Sequence, residues 1–258
     1  MKKKITLIIT LFFISNITAQ NLDLFKKEIF IQNEDTLRYR ILKPNNYNPN
    51  KQYPVHLFLH GSGERGNDNF SQLTHGAKLF LKKENREKYN SWVIFPQCSE
   101  NDRWPGLTSD LWNKTFNQNI TKPNKSLGLV IKLMDNFVEK KQVNKQKVYV
   151  SGLSMGGMGT FEILFRRPNM FAAATPICGN GIPQLAKLFA DKVPIWIFHG
   201  SDDTVVSPKH SLKMAKAIIE AGGSPKITFY ENVGHNSWDN AFEEKNFLKW
   251  IHSKSKKQ

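Results

Sequence analysis

A serine surrounded by glycines is the first feature of the sequence that could carry chemistry. Ser154 is the centre of a Gly-x-Ser-x-Gly pattern within the stretch VYVSGLSMGGMG at residues 148–159. A run of β-formers precedes the serine and helical spacing follows from Met158 to Phe165, which predicts a sharp strand-to-helix turn. Such a turn exposes a serine hydroxyl and suits it to nucleophilic attack. A tight turn without chemistry is the alternative.

A nucleophilic serine needs a histidine as its base and a carboxylate to orient that histidine. After a turn of this kind the acid precedes the histidine, and each follows a later strand. The stretch HGSDD at residues 199–203 offers Asp202 and Asp203, which the pattern alone does not separate. His235 follows in VGHN at residues 233–236. A loop histidine without chemistry is possible here, but the order and position favour a base.

Two backbone amides are needed to stabilise the anion that serine attack produces. The amide of Met155, directly after the serine, is the first predicted donor. The glycine-rich stretch HGSGERG at residues 60–66 is expected to supply the second, from Ser62 or alternatively Gly61. This stretch lacks the Gly-Lys-Ser/Thr ending of a phosphate-binding loop. The chain also lacks His-Glu-x-x-His and Cys-x-x-Cys patterns, so we predict no metal and no cofactor.

Short, almost wholly apolar runs alternate with amphipathic stretches and predict the elements that position these residues. Strands buried on both faces are predicted at residues 55–59, 92–95, 148–150, 171–177, 195–198 and 227–230. Helices are predicted at residues 127–138, 158–165, 212–219 and 242–251. This alternation indicates the α/β class, with a mostly parallel central sheet flanked by helices. Alternating segments at 28–32 and 36–42 predict an antiparallel N-terminal hairpin.

The first twenty residues have the composition of a secretory signal peptide. Lysines at 2–4 precede an apolar run at 5–14, and Ala19 offers a small residue for cleavage. We therefore expect residues 1–19 to be removed, leaving one domain at 20–258 in a secreted or periplasmic protein. The apolar run is short for a membrane span, so no stable membrane anchor is expected after cleavage. An uncleaved anchor is the alternative.

The chain of 258 residues carries a formal net charge of +15. Its lysines are spread over many predicted helix faces, and no basic helix alternates with stacking aromatic residues. We therefore expect a solvated basic surface and no nucleic-acid partner.

Taken together, these motifs resemble the α/β-hydrolase superfamily, and most of all secreted esterases of the polyhydroxybutyrate-depolymerase and feruloyl-esterase type, some of them called predicted peptidases. The similarity is clearest over residues 53–250 and includes the stretches LHGSGERGND, FPQC, GLSMGGMGTF, PICGNG, FHGSDDTVV and VGHNSWD. The resemblance implies the α/β-hydrolase fold and a triad of Ser154, Asp203 and His235. Asp203 is preferred because the family's acid follows its His-Gly by three positions. Related dienelactone hydrolases carry a cysteine nucleophile, whereas the serine here points to ordinary ester hydrolysis.

The sheet order that the resemblance implies also bears on the two cysteines. Cys98 and Cys178 would follow strands separated by two others, which is three spacings of about 4.8 Å. A separation of roughly 14 Å exceeds the limit of about 7 Å between the Cα atoms of a disulfide. We therefore predict two free thiols.

The predicted partner is an ester substrate, carbohydrate-linked or polymeric. A polar insertion at residues 98–126 contains Trp104, Trp112 and Phe116, and Trp238 lies just after the predicted base. Aromatic rings there would stack on a sugar or a phenolic acyl group, or else cap the core. We predict Trp104 and Trp238 as substrate-binding residues.

Two other functions remain open. A serine peptidase of the prolyl-oligopeptidase type would share the triad and the fold, although this chain has no propeller-sized N-terminal region. A non-catalytic binding module on a hydrolase scaffold would share the fold alone. Cleavage of peptide but not ester chromogens would favour the first, and failure to label with a fluorophosphonate probe would favour the second.

Overall fold

The computed structural model describes residues 22–106 and 122–256. The predicted signal peptide at residues 1–19 lies outside these ranges, as do Trp112 and Phe116. Within them, no helix combines the length and the apolar character that crossing a membrane would require.

The strands of the described chain form one eight-stranded sheet in the order β1-β2-β4-β3-β5-β6-β7-β8. The strands are β1 (Phe25–Gln32), β2 (Asp35–Leu42), β3 (Tyr53–Leu59), β4 (Trp92–Pro96), β5 (Val143–Leu153), β6 (Ala173–Ile177), β7 (Trp196–Gly200) and β8 (Lys226–Tyr230). Strand β2 pairs antiparallel with β1 and β4, and the other pairs are parallel. The predicted fold class, a mostly parallel sheet with an antiparallel N-terminal hairpin, is confirmed.

Helices cover both faces of this sheet. They are α1 (Ala77–Leu81), α2 (Lys83–Lys88), α3 (Lys125–Phe137), α4 (Met155–Arg166), α5 (Lys209–Glu220), α6 (Trp238–Glu243) and α7 (Phe247–His252). Successive side chains of a strand point to opposite faces, and in β3 both directions are apolar. Leu57 joins a core with α3, α4 and α5, whereas Phe58 joins a second core with α1 and α7. This explains why the central strands read as continuous apolar runs.

Two elements differ from the sequence prediction. Strand β5 begins at Val143 rather than at residue 148, because its polar first half still pairs with β3 across an irregularity near Tyr53. The helix predicted at 242–251 is two helices, α6 and α7, since the chain turns at residues 244–246. The apolar spacing continues across this turn because Phe247 and the residues after it pack on the same core as Ala241.

The two cysteines are both buried and free. Cys98 follows β4 and Cys178 follows β6, and these strands are separated by β3 and β5 in the sheet. The prediction of two free thiols is confirmed.

Candidate active site

Ser154 lies in the turn between β5 and α4, in a strained backbone conformation. Its φ of 51° and ψ of −118° fall in a region that non-glycine residues rarely occupy. A Cβ atom added at Gly152 would overlap the carbonyl oxygen of Gly156. A Cβ atom added at Gly156 would overlap the carbonyl oxygen of Leu59 at the end of β3. The glycines thus allow the three elements around the serine to approach closely.

The hydroxyl of Ser154 begins a continuous chain of hydrogen bonds. His235 Nε2 is 2.9 Å from Ser154 Oγ, and His235 Nδ1 donates to Asp203 Oδ2 at 2.7 Å. An ionised carboxylate can only accept, so Nδ1 carries the ring proton and Nε2 is free to accept one from the serine. The ends of three strands, β5, β7 and β8, bring these side chains together at one edge of the sheet.

The carboxylate of Asp203 is buried and saturated with donors. Its Oδ1 accepts from the amides of Val205 and Val206, each at 2.9 Å. Burial opposes ionisation, but these amides and the hydrogen bond from His235 outweigh it, so the pKa of Asp203 lies below its usual value. Asp202, by contrast, is exposed and accepts from its neighbouring serine. Of these two aspartates, Asp203 is the one that contacts His235.

His199 is a second histidine at this carboxylate, and the sequence analysis did not single it out. Its Nε2 lies 2.8 Å from the carbonyl oxygen of Val206 and 3.2 Å from Asp203 Oδ2. Both are acceptors, so Nε2 carries the proton and Nδ1 accepts from the Ser211 hydroxyl at 2.7 Å. Burial lowers the pKa of His199 and favours the neutral ring. His199 and Asp203 are four residues apart in HGSDD, and this spacing was the sequence signal that could have identified their contact.

The turn after β3 holds the peptide between Gly61 and Ser62 in one orientation. His60 Nε2 accepts from the Cys98 amide at 2.9 Å, so its Nδ1 carries the proton and donates to the Gly61 carbonyl at 2.6 Å. The described chain contains no cis peptide bond, and in a trans peptide the Ser62 N–H points opposite to that carbonyl. Burial lowers the pKa of His60 to about 4, which keeps this tautomer at neutral pH.

The two predicted oxyanion donors are backbone amides at the starts of helical turns. Met155 is the first residue of α4, and Ser62 is the first residue of a 3₁₀ turn, Ser62–Glu64. Amides in these positions have no acceptor within their own helix. In the part of the chain that the structure describes, neither donates to another backbone carbonyl. Amides without a backbone acceptor are what an anionic intermediate requires.

The predicted substrate contact at Trp104 needs correction. This side chain has 0% exposure, and its Nε1 donates to the His60 carbonyl at 2.9 Å. Its ring packs edge-to-face on the His60 ring at a centroid distance of 5.0 Å. A ring without exposed surface cannot stack on a substrate, so Trp104 caps the core and supports the turn after β3.

Trp238 is half-buried beside the histidine of the hydrogen-bonded chain. Its ring meets that of His235 edge-to-face, with centroids 5.4 Å apart, and that of His75 at 5.2 Å. Because Trp238 is not fully buried and its ring contacts that of His235, Trp238 remains a candidate for substrate contact.

Among the described residues, one group of three side chains could approach a metal ion. Ligand atoms of Cys178, Asp203 and His235 lie within 4.8 Å of one another. Burial raises the pKa of the Cys178 thiol to about 12, so the thiol is protonated at neutral pH and a poor ligand. The other two side chains already bond to each other. The group therefore fits the hydrogen-bonded chain better than a metal site.

The parallel sheet, the strained serine turn and the order of the loops define the α/β-hydrolase fold. Within this class, the chain belongs to the phospholipase/carboxylesterase family, whose family model matches residues 47–252.

Known proteins of several kinds are similar to the chain. A solved structure described as a thermostable esterase superposes with a TM-score of 0.82 at 33% identity, covering 92% of this chain and 64% of that one. The dipeptidyl peptidase 4 of Porphyromonas gingivalis superposes with a TM-score of 0.65 over 89% of this chain and 36% of that one. Its 17% identity indicates similarity of fold alone.

Curated relatives include esterases. A bifunctional acetylxylan esterase/xylanase of Neocallimastix patriciarum is 26% identical over 65% of this chain and 21% of that protein. Esterase YpfH of Escherichia coli is 28% identical over 46% of this chain and 53% of that protein. The chain thus matches less than two thirds of the length of either relative.

Proposed function

We propose that this chain is a serine carboxylic-ester hydrolase, with Ser154 as nucleophile, His235 as general base and Asp203 as the carboxylate that orients it. The observation that carries the proposal is the continuous hydrogen-bonded chain from Ser154 Oγ through His235 to Asp203. Membership of the phospholipase/carboxylesterase family supports the same reaction.

In the first step, His235 Nε2 takes the hydroxyl proton of Ser154 as Oγ attacks the carbonyl carbon of the ester. Asp203 keeps the other ring nitrogen protonated and stabilises the charged imidazolium. The carbonyl oxygen becomes an anion and accepts from the amides of Met155 and Ser62. Removing one such donor from a serine hydrolase costs about 10²–10³ in kcat. The ester C–O bond then breaks as His235 returns the proton to the leaving alcohol.

In the second step, water attacks the acyl-enzyme by the same route. His235 removes a proton from the water, the same amides receive the second anion, and the acid departs as Ser154 regains its proton. Every group required for both steps belongs to the chain itself.

We propose that the substrates are acyl or phenolic esters of a carbohydrate or of a polyester. The position of the half-buried Trp238, whose ring contacts that of His235, supports contact with a sugar or an aromatic acyl group. The similarity to an acetylxylan esterase supports a carbohydrate ester.

The test compares Ser154→Ala with Ser253→Ala, an exposed serine far along the chain. Ser154→Ala should lower kcat for p-nitrophenyl acetate by at least about 10⁴-fold with an unchanged circular dichroism spectrum, whereas Ser253→Ala should match the wild type. Undiminished turnover in Ser154→Ala would refute the assignment. A panel of acetyl, feruloyl, hydroxybutyryl and peptide substrates identifies the class. Peptide cleavage alone would indicate a peptidase, and no fluorophosphonate labelling would indicate a binding module.

We also propose export, with removal of residues 1–19. The basic start, the apolar run and Ala19 support a signal peptide, and the burial of both cysteines suits an oxidising compartment because it protects the thiols. Mass spectrometry of exported protein should find an N-terminus at Gln20. Intact Met1 on cell-associated protein would argue against the proposal.

A further inference from the structure

A line of side-chain contacts runs beside the proposed triad. Glu64 Oε1 lies 3.6 Å from His75 Nε2. The His75 ring packs against the indole of Trp238 at a centroid distance of 5.2 Å. Trp238 in turn meets the His235 ring edge-to-face at 5.4 Å and 84°. The line therefore ends on the imidazole that acts as base in the proposed function.

Folding stability alone does not explain the position of Glu64. Its side chain is only 12% exposed, and its Oε2 atom is buried without a hydrogen-bond partner in the described part of the chain. Burying an unpaired carboxylate oxygen costs free energy. The pair that Glu64 forms with the half-exposed His75, 3.6 Å apart, contributes little stability to offset that cost. The Nε1 atom of Trp238 is likewise buried without a partner. Proteins retain such unfavourable groups mainly where they serve a site.

The contacts join two loops that the sheet itself does not connect. Glu64 ends the 3₁₀ turn that begins with Ser62, after β3. Trp238 begins α6, directly after the loop that carries His235, which follows β8. Three strands, β5, β6 and β7, lie between β3 and β8 in the sheet, so no ladder hydrogen bond sets the distance between the loops. His75, which precedes α1, fills the gap between their side chains.

We propose that Glu64 and His75 are positioning residues for ester hydrolysis. They hold Trp238 against His235, and so fix the base relative to the turn that carries the Ser62 amide. The inference rests on the proposed function, because both residues act through the proposed base. Neither touches the reacting atoms.

Two single substitutions test the role of these contacts. Glu64→Ala and His75→Ala should each lower kcat roughly tenfold, because small displacements of a catalytic group are costly, and should leave KM within about twofold. The Tm of Glu64→Ala should be unchanged or higher, since an unpaired buried carboxylate is removed. Glu64→Gln, which keeps an acceptor oxygen facing His75, should recover part of the lost kcat.

Asp135→Ala is the control, because Asp135 forms a partly buried ion pair with Arg167, away from the site. This variant should lower Tm slightly and keep the wild-type kcat. Wild-type kcat in both Glu64→Ala and His75→Ala would overturn the proposal. A loss of kcat that only follows a loss of Tm would overturn it as well.

A double-mutant cycle tests whether the two residues act in one line. If Glu64 acts through His75, the variant with both changed to alanine should have the kcat of His75→Ala alone. Independent effects would instead multiply, giving a loss of roughly a hundredfold, and would contradict the proposed line of contacts.

An NMR measurement separates this inference from the proposed function. The Nδ1 proton shared between His235 and Asp203 should give a low-field resonance, assigned by its loss in His235→Gln. It should shift or broaden in Glu64→Ala and stay unchanged in Asp135→Ala. If the wild type hydrolyses no ester, the proposed function fails, and this shift still decides whether Glu64 positions the histidine. An unchanged resonance in Glu64→Ala would overturn the positioning role.

Discussion

Two substitutions at His60 should separate the placement of the proposed oxyanion donor, the Ser62 amide, from the stability of the fold. The ring has one partner on each nitrogen, with Nδ1 donating to the Gly61 carbonyl and Nε2 accepting from the Cys98 amide. His60→Asn places an amide donor near the position of Nδ1 and removes the acceptor. His60→Gln can reach the position of Nε2 with its carbonyl oxygen and removes the donor to Gly61. Each variant therefore keeps one of the two hydrogen bonds.

The structure indicates how large the two effects should be. His60 is 1% exposed, so His60→Asn leaves the Cys98 amide buried and unpaired, at a cost of about 1–3 kcal/mol in the free energy of unfolding. His60→Gln removes the shorter of two hydrogen bonds to the Gly61 carbonyl and leaves the one from the Glu64 amide at 3.4 Å, so the Gly61–Ser62 peptide is held less firmly. Complete loss of the Ser62 donor would lower kcat by about 10²–10³, and a partly populated rotation should still cost about tenfold.

The assay combines kcat and KM for p-nitrophenyl acetate with urea unfolding of the same preparations. We expect His60→Gln to lose mainly kcat and His60→Asn to lose mainly stability. The reasoning is refuted if His60→Gln keeps the wild-type kcat, or if His60→Asn loses as much turnover as His60→Gln while remaining folded.

Three further predictions concern the acid, the serine turn and the response to pH. Asp203→Asn should lower kcat by about 10⁴-fold, whereas Asp202→Asn, a change at the exposed neighbour, should keep kcat within about twofold of the wild type. Equal losses of kcat in steady-state kinetics would contradict the assignment. Gly156→Ala should cost several kcal/mol because its Cβ would overlap the Leu59 carbonyl, and a Tm within a few degrees of the wild type would count against that contact. The folded pKa of His60 is about 4 against an ordinary 6.5, so the unfolded state binds more protons between these values. The contribution of His60 to stability therefore falls by about 2.5 kcal/mol as the pH drops from 6.5 to 4. Urea unfolding measures this slope, which should shrink in His60→Asn; an equal slope in that variant would refute the contribution.

Much of the architecture could be predicted from the sequence because the signals are local. Strands buried on both faces read as continuous apolar runs, so β3 and β4 were located to within two residues at either end. The four glycines around Ser154 indicated a turn too tight for side chains, and the structure contains that turn. The predicted start of β5 was wrong because polar residues after Val143 continue the strand. Pairing with a neighbouring strand is not a local property of the sequence.

Contacts between distant segments were harder to predict. Trp104 lies in a polar insertion, and this composition suggested a loop above the site. Its indole is instead buried and donates a hydrogen bond to the His60 carbonyl. The hydrogen bond between His199 and Asp203 depends on how the loop after β7 folds back, which the local pattern does not show. The residue pattern alone left Asp202 and Asp203 open and the family resemblance favoured Asp203, whose carboxylate is the one that turns inward to His235.

The elements and their order follow from local signals, because apolar periodicity and glycine spacing act within a few residues of the chain. The sequence also placed Ser154, Asp203 and His235 in loops that follow strands. Which of these groups are in contact depends on how the elements pack together. The 2.9 Å and 2.7 Å hydrogen bonds of His235, the buried ring of Trp104 and the contacts of Glu64 arise when loops from separate strands pack at one sheet edge. Such contacts depend on strand order and side-chain packing, which no single stretch of residues contains.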